Sequence, residues 1–137
     1  MKPRPFASRL AIESPPPGYS DPMDLSAAES APEIVAQLAV DLVRDGTPLI
    51  DVREQREWDA GHAPDAHLIP LGELDARRSE LPRDTEILII CHSGVRSERA
   101  TRALRGADFI AVSVSGGMVA WEAAGGEVES GSETSPN

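Results

Sequence analysis

The run Ile87-Leu88-Ile89-Ile90, apolar at every position and ending on Cys91, constrains this chain more than any other stretch. A helix or an edge strand that meets water shows polar residues at its own period. Four consecutive branched apolar residues fit a strand covered on both faces, as a central parallel strand is. Parallel strands need crossovers, and the flanking sequence supplies them. Val35, Leu38, Ala39, Leu42 and Val43 recur at helical spacing, and Asp45-Gly46 stops that helix. A short strand near Glu33–Val35 is the alternative reading of its start. Leu49 to Val52 reads as a second buried strand and 53–60 as a polar turn or helix. Ala66 to Ile69 reads as a brief strand ended by Pro70, and 71–81 as weakly helical. After Cys91 the pattern predicts a helix from about Ser97 to Arg105 with Ala100, Ala103 and Leu104 inward. A strand over Ala111 to Val114, a break at Gly116-Gly117 and a closing helix over Met118 to Ala124 complete the pass. Strands alternating with helices define an α/β domain with a mainly parallel sheet.

The flanks differ from this middle. Seven of the 12 prolines fall in 1–33, and no large apolar residue follows Val128. The composition predicts a Pro-rich disordered arm over 1–32, one folded domain over 33–127 and a disordered acidic tail over 128–137. The arm reads as a solvated leader or as a docking segment for a protein partner, with Phe6, Leu10, Ile12 and Tyr19 as anchors. The net charge of −10 repels phosphate backbones and anionic headgroups, which argues against nucleic acid and membrane surfaces as partners. Lys2 is the only lysine, so the domain has no lysine for Schiff-base or phosphate chemistry. The single cysteine allows no intrachain disulfide and no Cys-based zinc site. No apolar run approaches the roughly 20 residues that span a bilayer, and no apolar core follows Lys2 and Arg4 as in a secretory signal. The expected setting is cytoplasmic.

In open α/β sheets, ligands bind beyond the carboxyl ends of the strands. Three such ends carry polar chemistry: Asp51-Val52-Arg53, Cys91 with its loop, and Ser115-Gly116-Gly117. The loop Cys91-His92-Ser93-Gly94-Val95-Arg96-Ser97 joins a buried strand to a helix. Such a loop curls backbone N–H groups around the sulfur and, with the helix end, favours a thiolate. Gly94 permits the positive φ the curl requires, and Arg96 adds a planar cation suited to an oxyanion. The competing reading is a buried structural cysteine, which the polar, glycine-bearing loop argues against. Asp51 is placed to accept hydrogen bonds from the loop or from Arg53. Arg53 and Glu57 are expected to form a structural ion pair, and His62 to bond backbone near its turn. His92 is expected to point outward from the loop, where contact with substrate is the lesser of two readings. His67 reads as structural, and Trp121 as an anchor for the last helix. Arg102 and Arg105 read as solvated, with Arg99 drawing anions inward. The spacing of His62, His67 and Cys91 gives no support to a metal site.

Asp51-Val52-Arg53, Glu57-Trp58, Gly61-His62-Ala63-Pro64-Asp65-Ala66, Cys91-x-x-Gly94-x-Arg96-Ser97 and Gly116-Gly117-Met118-x-x-Trp121 occur in that order. Together they resemble the single-domain rhodanese family of sulfurtransferases, over about 33–126. The resemblance implies a rhodanese-like α/β fold, a five-stranded parallel sheet with helices on both faces. It also implies a sulfurtransferase in which Cys91 carries sulfane sulfur as a persulfide, with Arg96 beside it and no cofactor. Residues 92–97 would form the persulfide loop, supported by Asp51, Arg53, Glu57 and His62. A small-molecule donor such as thiosulfate or a persulfide, and an acceptor thiol, would be the partners. The family's usual Ile-Pro-Gly-Ala is here Ala63-Pro64-Asp65-Ala66, and His67 stands near a usual asparagine. Cysteine phosphatases of similar fold carry five residues between Cys and Arg; here four separate Cys91 from Arg96. A Cys-dependent phosphatase or arsenate reductase, and a non-catalytic rhodanese binding module, are the alternatives.

Overall fold

The computed structural model describes residues 31–131. Five strands form one parallel sheet: β1 (Glu33–Ile34), β2 (Leu49–Asp51), β3 (Ala66–Leu68), β4 (Glu86–Ile90) and β5 (Ile110–Val114), in the order β1-β5-β4-β2-β3. The helices are α1 (Ala36–Arg44), α2 (Gln55–Ala60), α3 (Leu74–Arg77), α4 (Val95–Gly106) and α5 (Gly117–Ala123). Turns of 3-10 helix at Leu71–Glu73 and Arg78–Glu80 flank α3 and divide the weakly helical 71–81 stretch into three pieces.

β4 occupies the centre because its side chains need cover on both sides. Leu88 and Ile90 enter one apolar layer with Ala39, Val40 and Val43 of α1 and with Met118 and Trp121 of α5. Ile87 and Ile89 enter the opposite layer with Ala100 and Leu104 of α4, Leu74 and Phe109. Ile87, Leu88, Ile89 and Ile90 are all fully buried. At about 25 cal/mol per Å² of apolar area, this two-sided burial is the main stabilising term of the fold.

Several expectations shift by a residue or two. The buried face of α1 is Ala36, Ala39, Val40 and Val43, while Val35 and Leu38 are exposed. Both stripes satisfy a 3.6-residue period; Val35 is the N-cap in extended conformation, so the helix is rotated away from the stripe that begins there. The helix after Cys91 begins at Val95, two residues earlier than expected, which brings Arg96 into its first turn. Ala103 is exposed, not inward; Ser97, Ala100, Thr101 and Leu104 form the buried face. Arg105 is not merely solvated: its guanidinium donates to the Ala111 carbonyl at 2.8 Å.

Most of the predicted arm, including Phe6, Leu10, Ile12 and Tyr19, lies outside the described residues, as do 132–137 of the tail. The Pro32 carbonyl already accepts a hydrogen bond from the Ser113 amide. Past α5 the chain returns to α2, where Glu129 and His62 exchange two backbone hydrogen bonds of 2.8 Å. Among the described residues no helix is long and apolar enough to cross a membrane.

The strand order also locates the site. The chain leaves β2 for β3 at one edge and leaves β4 for β5 on the other side. The loops after β2 and β4 therefore diverge, and a crevice opens between them at the strands' carboxyl ends.

Candidate active site

Cys91 follows the last residue of β4, at the floor of that crevice, and is 1% exposed. The chain then turns through Gly94, which sits at φ 112° and forms the N-cap of α4. A side chain there would be strained, and a Cβ would lie 3.4 Å from the Gly116 nitrogen. The curl directs two amides at the sulfur: Gly94 N–H donates to Cys91 Sγ at 3.1 Å and Ser97 N–H at 3.3 Å. The Ser97 hydroxyl lies 3.6 Å from Sγ and donates to the Gly94 carbonyl at 3.1 Å. It also shares a 2.8 Å hydrogen bond with Ser113 Oγ on β5. Both serines are buried. Ser113 escaped the sequence reading; its signal was one hydroxyl in an otherwise apolar strand.

The back of the loop is held by α5. Met118 N–H donates to the Cys91 carbonyl at 2.7 Å and Val119 N–H to the His92 carbonyl at 3.2 Å. Those carbonyls are thereby turned away from the sulfur. The approach requires Gly117, because a Cβ on it would lie 2.4 Å from the Cys91 oxygen and 2.5 Å from the His92 carbonyl.

Two arginines behave differently from the expectation. Arg53 does not pair with Glu57. Its Nε and Nη2 reach the buried Asp51 carboxylate at 2.9 Å each, and Nη2 donates to the Gly61 carbonyl at 2.7 Å. The planar fork fits the nearer carboxylate bidentately and braces the turn before His62. Glu57 instead receives Arg96, whose Nη1 and Nη2 lie 2.7 and 2.9 Å from its two oxygens. These hydrogen bonds hold the Glu57 carboxyl down at about 2 and raise the Arg96 guanidinium above its usual value. Glu57 also accepts the Glu54 amide at 2.9 Å, closing the capping box of α2. One carboxylate thus caps the helix after β2 and clasps the helix after β4.

His62 is fully buried, stacks on Trp58 with ring centroids 3.7 Å apart, and bonds the Trp58 carbonyl through Nδ1 at 2.7 Å. His92 and Ser93 are exposed, as is Val95. Exposed His67 faces Glu80 at 3.5 Å. Trp121 is buried and donates its indole N–H to the Glu127 carbonyl at 2.9 Å. Among the described residues no group of His, Cys, Asp and Glu side chains is arranged to hold a metal ion. An open groove of about 370 Å³ beside the loop is lined by Arg53, Glu57, Ala60, Gly61, His92 and Glu122.

A family model, the Rhodanese-like domain, matches residues 35–124. The chain belongs to the rhodanese-like family. A protein of Bacillus subtilis provisionally named a sulfur carrier, YrkF, is 42% identical over 97 residues, which cover 69% of this chain and 52% of that one. A sulfurtransferase of Allochromatium vinosum is 36% identical over 74 residues, 53% of this chain and 69% of that one. The rhodanese-related protein of Thermoplasma volcanium superposes with a TM-score of 0.66 at 30% identity, covering 72% of this chain and 97% of that one. The chain spans about half the length of YrkF. The family match carries the fold that the sequence resemblance implied, a five-stranded parallel sheet with helices on both faces.

Proposed function

We propose that this rhodanese domain moves sulfane sulfur through a persulfide on Cys91. The observation that carries the reading is the pair of amides, from Gly94 and Ser97, aimed at the sulfur at the end of the central strand. Donors so placed stabilise negative charge on the Cys91 sulfur, the thiolate form that attacks the donor. Cys91 thiolate attacks the outer sulfur of the donor, forming the new S–S bond as the donor's own sulfur–sulfur bond breaks. Thiosulfate then leaves as sulfite, and a persulfide R–S–SH leaves as the thiolate R–S⁻. A thiophile such as cyanide or a thiol attacks the terminal sulfur and returns Cys91 as thiolate, a two-step covalent cycle. His92, Ser93 and Val95 form the rim that a donor meets, and Arg96 completes the loop. A thiol regenerated at each turn suits a reducing compartment such as the cytoplasm.

Phosphatase chemistry draws on the same thiolate, but the loop is short and both terminal nitrogens of Arg96 are engaged by Glu57. A phosphoryl group needs donors for three equatorial oxygens. Intact-mass measurement after treatment with a sulfane donor tests the reading: one sulfur atom should add to the wild type, leave with cyanide, and never appear on Cys91→Ser. Wild-type hydrolysis of para-nitrophenyl phosphate that depends on Cys91 would overturn it.

A further inference from the structure

A guanidinium beside a thiolate is useful to an anionic donor only if its donors face the donor. Here they do not. Arg96 presents both terminal nitrogens to Glu57, and Arg53 presents Nε and Nη2 to Asp51 and Gly61. The groove at the loop is lined by two carboxylates, Glu57 and Glu122, against the imidazole of His92 and the already paired, buried Arg53. With the Glu57 carboxyl held at about 2, its charge persists throughout the neutral range. The Arg96 fork is filled by Glu57 and its charge is balanced by that carboxylate, so a dianion in this groove gains less from it than from an unpaired guanidinium.

We infer that Glu57 is the specificity-determining residue of this site: by holding Arg96 it disfavours thiosulfate and selects a persulfide donor, R–S–SH. The inference rests on the sulfur-transfer reading above and names the donor class within it. A persulfide brings one charge at most to the reacting end. Cys91 thiolate attacks that terminal sulfur, the S–S bond of the donor breaks, R–S⁻ departs, and the proton stays with the transferred sulfur. Nothing else is consumed. A small thiol and a cysteine in a polypeptide can both carry such a group.

The test compares donors and variants with cyanide as the common acceptor. The donors are thiosulfate, cysteine persulfide and a persulfidated cysteine in a short uncharged peptide. The faster of the two persulfides identifies the source. Wild type should favour persulfide over thiosulfate in kcat/KM by about ten-fold or more, the size of one charged hydrogen-bonding contact. Glu57→Gln keeps a side chain competent for the capping box, so α2 should persist. It should raise the ratio of thiosulfate to persulfide kcat/KM by about ten-fold. The gain should vanish in Glu57→Gln combined with Arg96→Ala, because the released guanidinium is its source. Should Glu57→Gln fail to fold, Glu122→Gln removes a groove charge without touching Arg96 and should raise thiosulfate kcat/KM about two-fold, more at low salt. A wild type that prefers thiosulfate, or a folded Glu57→Gln that loses both donors equally, overturns the inference. So does a Glu122→Gln protein with unchanged thiosulfate use when Glu57→Gln does not fold. Failure of the underlying reading looks different: no sulfur then appears on Cys91 from any donor.

Discussion

Replacing Gly117 with alanine should damage the sulfur loop from behind without altering any residue that faces the crevice. Gly117 sits at φ 57°, a left-handed conformation that costs a non-glycine residue about 1–2 kcal/mol. The new Cβ would also stand 2.4 Å from the Cys91 oxygen, whereas ordinary contact begins at 3.4 Å. Backbone must therefore move by about 1 Å, and the movement stretches the 2.7 Å Met118–Cys91 and 3.2 Å Val119–His92 hydrogen bonds. Losing both adds about 1–3 kcal/mol at about 0.5–1.5 kcal/mol each. The sum, about 2–5 kcal/mol, is a large share of the 5–15 kcal/mol typical of a small domain. Gly46→Ala is the control: it also has positive φ, at 108°, but nothing lies within 4 Å of its would-be Cβ. Urea unfolding of both variants separates conformational strain from collision. The rate of Cys91 alkylation in the folded state reports whether the sulfur has lost its amide donors. If Gly117→Ala costs no more than Gly46→Ala and leaves the alkylation rate unchanged, the close packing of α5 on the loop is not what shapes the site.

Two further outcomes follow from the same network. Because Arg96 lowers the Glu57 carboxyl from 4.5 to about 2, their pair stabilises the fold fully above about pH 4.5 and loses that contribution as pH falls toward 2. Both side chains are about 30% exposed, so screening leaves about 1 kcal/mol, and acid titration of stability should be shallower in Glu57→Gln over that window. Ser113→Ala removes the buried partner of the Ser97 hydroxyl and should cost about 1 kcal/mol in thermal or chemical unfolding while sulfur loading of Cys91 persists.

The sequence revealed most where one local rule acted alone. The unbroken apolar run of β4, the turn at Gly94 and the breaks at Gly116-Gly117 each follow from a residue's own geometry, and they placed the sheet and the cysteine loop. It revealed less where two partners compete. Glu57 lies four residues from Arg53 and 39 from Arg96, so proximity in sequence pointed to the wrong guanidinium. Only the shared crevice between the β2 and β4 loops brings the distant arginine to Glu57, while Asp51 on the end of β2 takes the nearer one. The α1 stripe and Ala103 failed for a related reason: more than one helix face was apolar enough, and packing against the sheet made the choice.

The division of labour between buried and rim residues carries a consequence for how such a domain diversifies. Cys91, Ser97 and Ser113 are set in the interior, held by groups that the fold itself requires. His92, Val95 and Glu122 stand at the surface and contribute to neither apolar layer. Substitutions at those outer positions leave the scaffold's stability nearly untouched, within about 0.5 kcal/mol each. A lineage can therefore vary the rim one residue at a time while Cys91 and its cradle stay fixed, whereas a change at Glu57 also disturbs the cap of α2. New selectivity on this scaffold needs no reinvention of its chemistry.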